Sequence, residues 1–317
     1  MGLIAAAALA VVVGGCSDEG PPGRVALALA PAGGDMTLLL TLVEGSGPSE
    51  VTLREAREEV VAGGPSAVAV GPDGTVYVAD TLAGRILRVR TDGAAASPLP
   101  CPWVEDVALA ADGRVFGLSR VHRSVTVFDG DGTLEQTVDL RRVSRWAGGL
   151  VATASGTVAV RTAYQESLDL DEKDRGEVLG EGVPGLDGRR YRTRRRGGDA
   201  WVERVDRGDD PEGRFVVSSR FQVPVADVPG SLVLVGVLED GEVVLDVQDV
   251  VSGSPIRTTR TVQRHGPEGE LRDEVAVPAG LYEPAHALRL GADGTLFVLR
   301  PVRGAVEIWA WPRGGAR

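Results

Sequence analysis

The chain has 317 residues and a formal net charge of −11, and 43% of its residues are apolar, 25% charged and 4% aromatic. This apolar fraction supports a folded core and argues against general disorder, and the length suits one large all-β domain. The acidic balance argues against nucleic acid as the main partner, because phosphate binding needs a dominant basic surface. Lys173 is the only lysine and asparagine is absent, so the many arginines are weak indicators of function.

The N-terminus carries an apolar run, Leu3 to Val13, followed by two glycines and Cys16. Eleven apolar residues are too few to span a bilayer but suit the core of a signal peptide. The segment resembles a bacterial lipoprotein signal, which implies lipidation at Cys16 and an extracytoplasmic, membrane-anchored protein, periplasmic or on the cell surface. No Lys or Arg precedes the run, so an ordinary signal peptide or a buried apolar strand is the alternative. We therefore expect a signal peptide over 1–15, a tether over 16–23 and a folded domain over 24–317.

Strand–turn–strand pairs centred on small turns recur along the domain. Asp-Gly and Ser-Gly turns flanked by alternating apolar residues are typical of β-hairpins, because glycine tolerates a positive φ. Five of these turns are centred on Gly74, Gly113, Gly156, Gly241 and Gly294. The gap between Gly156 and Gly241 has room for one more, which Asp187-Gly188 supplies; a register centred on Gly198 is the alternative.

A second series of turns follows the first at 19 to 28 residues: Asp92-Gly93, Asp131-Gly132, 174–176, 209–213 and 267–269. Together the two series define a four-stranded unit of roughly 40 residues, which is typical of a β-propeller blade. Six inner turns predict a six-bladed propeller, with a seventh, degenerate blade as the alternative. The sixth blade ends at Trp311 after three strands. We expect an N-terminal strand to complete it and assign Ser49 to Val61 to that role, leaving 24–48 unplaced.

The stretch "GPDGTVYVADTLAGRILRVRTDG" is similar to NHL-type repeats, in which a "PDG-x-(I/V)-YV-x-D" strand pair precedes "R-I-x-x-F". The match is good over Gly71 to Arg90 and weaker through "VHRSVTVFDGDG"; residues 141–280 match only as generic blades. This resemblance implies a propeller. Leu82, Ala83 and Gly84 stand where the family has polar residues, so no family ligand site carries over, and such repeats serve enzymes, receptors and scaffolds alike.

Metal and cofactor chemistry has little support in the sequence. The three histidines, His122, His265 and His286, are isolated, and no pair has the spacing of a zinc site. The lactone-hydrolysing propellers of the gluconolactonase type hold their metal with Glu, Asn and Asp, and this chain has no asparagine. We therefore predict no catalytic residue, no metal and no cofactor, and Cys101 is interpreted as a structural thiol.

Arginines concentrate on the loops that join the second and third strands of the blades. We select Arg120, His122, Arg123, Arg300 and Arg303 as a candidate binding rim. A rim of this kind on an acidic protein would attract an anionic partner, a protein or an anionic glycan. The alternative is that these arginines simply occupy exposed loops.

The predicted function is a non-catalytic binding or scaffold module. The alternative is a propeller hydrolase or lyase with its site in the central channel. Two or more acidic residues with a histidine at the channel mouth would favour the enzyme, whereas an apolar or plugged channel would favour the binding module.

Overall fold

The computed structural model describes residues 36–141, 147–170, 180–208, 215–225, 228–251 and 257–314. Every regular element in these ranges is a β-strand. The same ranges contain no helix of the length and apolarity that a membrane crossing needs. The signal peptide, Cys16 and the tether lie outside the described residues, as do the outer turns predicted at 174–176 and 209–213.

The strands form six four-stranded antiparallel sheets, each a blade of one propeller. The first strand along the chain is β1 (Thr37–Val43). Blades 1 and 2 contain β2 (Ala67–Val70), β3 (Thr75–Asp80), β4 (Arg85–Arg90) and β5 (Ala95–Pro100), then β6 (Asp106–Leu109), β7 (Val115–Ser119), β8 (Ser124–Phe128) and β9 (Leu134–Asp139). Blades 3 and 4 contain β10 (Ala147–Ala152), β11 (Val158–Thr162), β12 (Glu166–Asp169) and β13 (Gly180–Glu181), then β14 (Val183–Pro184), β15 (Arg190–Arg196), β16 (Asp199–Arg207) and β17 (Phe215–Val223). Blades 5 and 6 contain β18 (Val228–Val237), β19 (Val243–Val251), β20 (Arg257–His265) and β21 (Leu271–Ala276), then β22 (Leu288–Leu290), β23 (Leu296–Val302) and β24 (Ala305–Trp311). The prediction of an all-β, six-bladed propeller is confirmed.

An N-terminal strand closes the ring, as expected, but it is not the predicted segment. Strand β1 pairs antiparallel with β24 and becomes the outermost strand of blade 6, with Leu40 opposite Ile308. The assignment of Ser49 to Val61 is wrong: that segment makes only isolated bridges, and residues 54–61 are exposed. The physical reason is charge, because "TLLLTLV" can bury Leu40 and Leu42 against neighbouring strands while "LREAREE" cannot.

The inner turns define the two faces of the ring. In blade 4 the turn between β14 and β15 is at Gly188 with φ 79°, a left-handed conformation that favours glycine. The register centred on Gly198 is wrong, since that residue lies between β15 and β16 at the opposite end of the blade. We call the face with the turns between first and second strands the turn face. The opposite face, with the loops between second and third strands and the links between blades, is the connector face.

Apolar clusters between neighbouring blades form the core. One cluster joins blades 6 and 1 through Leu40, Val68, Val78 and Ile308. Corresponding clusters lie between blades 1 and 2, 2 and 3, 4 and 5, and 5 and 6. Between blades 3 and 4, Val151 of blade 3 packs against the cluster of blades 4 and 5. These contacts between blades hold the innermost strands in a ring around the central axis. That ring positions the candidate site.

Candidate functional site

A funnel with a volume of about 980 Å³ opens on the turn face. Its wall is made by the innermost strands and the inner turns of all six blades, and one lining residue from each blade in order is Ala69, Ala110, Ala152, Pro184, Val235 and Leu290. The wall is mainly aliphatic because the first strands carry small apolar residues where they converge on the axis. A concave, mainly apolar space of this size is typical of sites for small molecules.

The mouth of the funnel is acidic. Its charged lining residues there are Asp73, Glu239 and Asp293. Asp73 and Asp293 accept hydrogen bonds from the backbone N–H and hydroxyl of the threonine two residues later, and in Asp73 these bonds lower the pKa of the carboxyl. The funnel therefore presents fixed negative charge to an approaching ligand.

Arg289 crosses the central axis and forms the floor of the funnel. From β22 in blade 6 its guanidinium donates to Asp106 Oδ1 in blade 2, to the Leu150 carbonyl in blade 3 at 2.7 Å and to the Val68 carbonyl in blade 1 at 3.3 Å. Asp106 is fully buried and also accepts from the N–H groups of Val107 and Leu150, at 2.8 and 2.7 Å. One ion pair thus plugs the channel and ties four blades together.

His286 lies beside this ion pair. Its Nδ1 is 3.7 Å from Asp106 Oδ2, and its side chain is only 8% exposed. Burial, opposed by Asp106 and assisted by nearby arginines, lowers the pKa of His286 to about 4, so the ring is neutral at physiological pH. His286 is not among the residues that line the funnel. The described part of the channel is therefore lined mainly by apolar residues on the turn face, with an acidic mouth, and is plugged below by the Arg289–Asp106 ion pair.

These central residues were missed in the sequence because they lie on different blades. Asp106, Arg161, His286 and Arg289 are separated by up to 183 residues, and none belongs to a local motif. A signal was nevertheless present: Arg161 and Arg289 stand inside the apolar runs "TVAVRT" and "HALRLG". A charge within a buried strand requires a partner, so such positions indicate contacts in the interior.

The arginines chosen as a rim lie on the connector face in two groups. Arg120, His122 and Arg123 are on the loop between β7 and β8, whereas Arg300 and Arg303 are at the hairpin between β23 and β24. No hydrogen bond or ion pair in the described ranges joins the two groups. Whether they act together in binding stays a prediction.

Two of the rim arginines are already paired. Arg120 makes a two-pronged contact with Glu105, with distances of 2.7 and 3.2 Å, and Arg300 donates to Glu307 at 3.1 Å. Arg123 and Arg303 have no carboxylate within 4 Å in the part of the chain that the structure describes. These two are therefore the freer cations among the four rim arginines.

Large apolar side chains are exposed near the first of these groups. Trp103, in the link between blades 1 and 2, is 54% exposed and has a φ of 56°, and Val121 is 60% exposed. Tyr164, on the corresponding loop of blade 3, is 73% exposed. Exposed aromatic residues beside arginines are typical of protein-binding surfaces.

Metal and thiol chemistry find no support in the described residues. In these ranges no group of three or more His, Cys, Asp and Glu could hold a metal ion. Cys101 is fully buried, and burial raises the pKa of its thiol to about 11. A neutral, inaccessible thiol is unreactive, which supports its interpretation as a structural residue.

The comparisons with known proteins concern the fold. No protein-family model and no curated protein matches the chain. It is similar to a solved structure of streptogramin B lyase, with 13% identity, a TM-score of 0.48 and coverage of 82% of this chain and 97% of that chain. It is also similar to regucalcin from Agrobacterium tumefaciens, described as a calcium-binding protein, with 14% identity, a TM-score of 0.47 and coverage of 78% of this chain and 91% of that chain. A glucose dehydrogenase is similar as well, with 14% identity, a TM-score of 0.46 and coverage of 84% of this chain and 100% of that chain. At these identities and TM-scores the likeness carries no argument about activity.

Proposed function

We propose that this protein is a bacterial, extracytoplasmic, lipid-anchored β-propeller with NHL-like repeats that binds a small molecule in the turn-face funnel without transforming it. The observation that carries the proposal is the funnel itself, which is wide, mainly apolar and closed below by Arg289 and Asp106. Its lining contains no histidine or cysteine in the described residues. Such a space supplies burial and shape but few groups that transfer protons.

The charge of the site selects the ligand class. Asp73, Glu239 and Asp293 stand at the mouth, and the single cation of the described lining, Arg289, is already paired with Asp106. An anionic ligand would meet repulsion there, in a protein whose formal net charge is −11. The ligand is therefore neutral or cationic and mainly apolar. A protein or anionic glycan, if bound, belongs on the connector face.

A fluorescence titration tests the binding site. The neutral apolar dye N-phenyl-1-naphthylamine should bind the soluble Cys16→Ser chain in a saturable manner. Ala152→Trp places an indole among the lining residues of blade 3 and should abolish the saturable signal, because it fills the space that the dye occupies. The matched control is Ala163→Trp, on an exposed connector-face loop of the same blade, which should bind like the parent. A signal that is absent in the parent, or unchanged in Ala152→Trp, would overturn the proposal.

The anchor has its own test. Lipidation at Cys16 joins acyl chains to the thiol, and two or more chains hold a protein stably on a membrane. Cys16→Ser should move the protein from the membrane to the soluble fraction of its host. If the Ser variant stays with the membrane, the anchor proposal is wrong while the funnel proposal is untouched.

One observation favours an enzyme as the second candidate. His286 and Asp106 form a buried pair with a 3.7 Å separation between Nδ1 and Oδ2, and a carboxylate beside an imidazole is a pairing that general acid–base catalysts use. A hydrolase or lyase of this kind would lose turnover in His286→Asn while dye binding in the funnel persists. A binding module would show no turnover to lose.

A further inference from the structure

A second, smaller cavity adjoins the floor of the funnel. Its volume is about 60 Å³, and its lining comes from blades 3, 5 and 6. The side chains that define its character are Arg161, Asp246, Arg260, His286 and Arg289. Arg289 belongs to the lining of both cavities and separates the apolar space from the polar one.

Most charges around the small cavity are neutralised within the protein. Arg289 pairs with Asp106. Arg260 donates to both oxygens of Asp246 at 2.8 Å and also to Glu283, whose side chain is 63% exposed, so this end of the lining reaches the solvent.

Arg161 is the exception. Its Nη1 donates to the Leu234 carbonyl at 2.8 Å, and it has no carboxylate within 4 Å in the described ranges. A guanidinium offers five N–H donors, and this is the only hydrogen bond that the described residues supply to it. Burial, opposed by the Asp106 carboxylate and assisted by Arg289, lowers the pKa of Arg161, which reflects the cost of burying this charge. An anion in the cavity would compensate that cost.

His286 supplies a complementary group. Its Nδ1 lies 3.7 Å from Asp106 Oδ2, and the negative charge of that carboxylate favours the neutral tautomer that carries its proton on Nδ1. Its Nε2 is buried and has no hydrogen-bond partner in the described structure. This nitrogen therefore presents an unused lone pair that a ligand with a hydroxyl group would satisfy.

We propose that this cavity binds a small hydroxycarboxylate, with the carboxylate on Arg161 and the hydroxyl donating to His286 Nε2. The volume sets the size of the ligand. At 10–15 Å³ for each enclosed water, about 60 Å³ accommodates roughly four to six water-sized groups. Glycolate, with five non-hydrogen atoms, is of this size and carries both groups. This site does not depend on the funnel proposal, which concerns a different ligand class and a different space.

Calorimetric titration of the full chain with three probes tests the proposal without any substitution. Glycolate should bind with 1:1 stoichiometry and a Kd on the order of 1 mM or tighter. Acetate lacks the hydroxyl and should bind about tenfold more weakly, since one buried hydrogen bond is lost. Ethylene glycol lacks the carboxylate and should not bind. Glycolate that binds no more tightly than acetate, or not at all, overturns the proposal.

Two substitutions then locate the site. Arg161→Met should abolish glycolate binding, and His286→Phe should remove the preference for glycolate over acetate. The exposed Arg303→Met serves as the control and should bind as the parent does. Circular dichroism first shows whether each variant folds as the parent does. If Arg161→Met does not fold, the relative affinities of the parent for glycolate, acetate and ethylene glycol test the proposal instead. Glycolate binding that persists in folded Arg161→Met, or that displaces the apolar dye from the funnel, contradicts the assignment.

Discussion

Arg289 of blade 6 and Asp106 of blade 2 form an ion pair across the central axis of the propeller, with the Asp106 side chain 1% exposed and that of Arg289 17% exposed. The innermost strands of two blades that are not neighbours in the ring are thereby joined in the interior, where no sheet hydrogen bond reaches. The same pair forms the floor of the funnel and one wall of the polar cavity. Both the funnel and the polar cavity therefore require this ion pair to be intact.

The first prediction concerns this pair. Arg289→Met should lower the free energy of unfolding by about 3–5 kcal/mol, because it leaves a buried carboxylate without its cation. The double variant Asp106→Asn with Arg289→Met should recover part of that loss. Urea unfolding measures both.

Arg141→Met is the matched control, since Arg141 pairs with Asp139 on the surface with 72% and 52% exposure. An exposed pair contributes about 0–1 kcal/mol, so this variant should unfold almost as the parent does. If Arg289→Met costs no more than Arg141→Met, the cross-axis pair does not stabilise the ring.

The second prediction concerns the free energy of unfolding at acidic pH. The pKa of His286 is lowered from 6.5 to about 4 by burial and by Arg161, Arg289 and Arg120, with Asp106 acting in the opposite direction. Between these values the unfolded chain binds a proton that the folded chain excludes, so stability falls as pH decreases through this window. The loss amounts to about 3 kcal/mol when the window is crossed completely.

Urea unfolding at a series of pH values checks this. His286→Gln removes the titrating group and should show a shallower decline than the parent from about pH 6.5 to about pH 4. Because the other titrating groups are common to both proteins, the difference isolates His286. Parallel curves for the two proteins would refute the assignment of a depressed pKa.

The third prediction concerns ring closure. Leu40 in β1 is fully buried against blade 1, so Leu40→Ala should lower the free energy of unfolding by about 2–5 kcal/mol. The same change at Leu281, which is 58% exposed, should cost about 0.5 kcal/mol or less. Equal melting temperatures for the two variants would show that β1 does not hold the ring closed.

The sequence predicts the blades well because each is a local unit. Inner turns such as Gly188 and the alternating strands beside them follow from hydrogen bonding between neighbours in the chain. The closing strand was misassigned because it pairs with a segment more than 260 residues away, Leu40 with Ile308, and nothing local indicates which N-terminal strand reaches it. Its lack of charge was the usable signal.

The candidate site was harder to predict from the sequence for the same reason, because its residues are far apart in the chain. Asp106 of blade 2 meets His286 and Arg289 of blade 6 only because the blades place their innermost strands around one axis. A single sequence shows which residues alternate toward the interior but not which blades face one another across the channel. The funnel likewise has no motif, since small aliphatic residues make its wall.

The fourth prediction concerns the connector face. Arg123 and Arg303 are the rim arginines without a described carboxylate partner, so changing both to Ser should weaken binding of dextran sulfate. Binding to the parent should also weaken at high salt, because exposed charges are screened beyond a Debye length of about 8–10 Å. Arg141→Ser is the control. If binding of dextran sulfate changes neither with salt nor in the double variant, these arginines do not form a binding site.

Chemical protection of a thiol inside the funnel tests most directly whether the funnel is the binding site. The buried Cys101 thiol, with its pKa raised to about 11, should not react, so Ala152→Cys in the Cys16→Ser chain provides a single reactive thiol among the lining residues. With N-phenyl-1-naphthylamine at about ten times its Kd, labelling of Ala152→Cys by a maleimide should slow about tenfold, while labelling of Ala163→Cys on the connector face should not change. Equal slowing of both thiols, or no slowing of Ala152→Cys, would contradict the assignment of the funnel as the binding site.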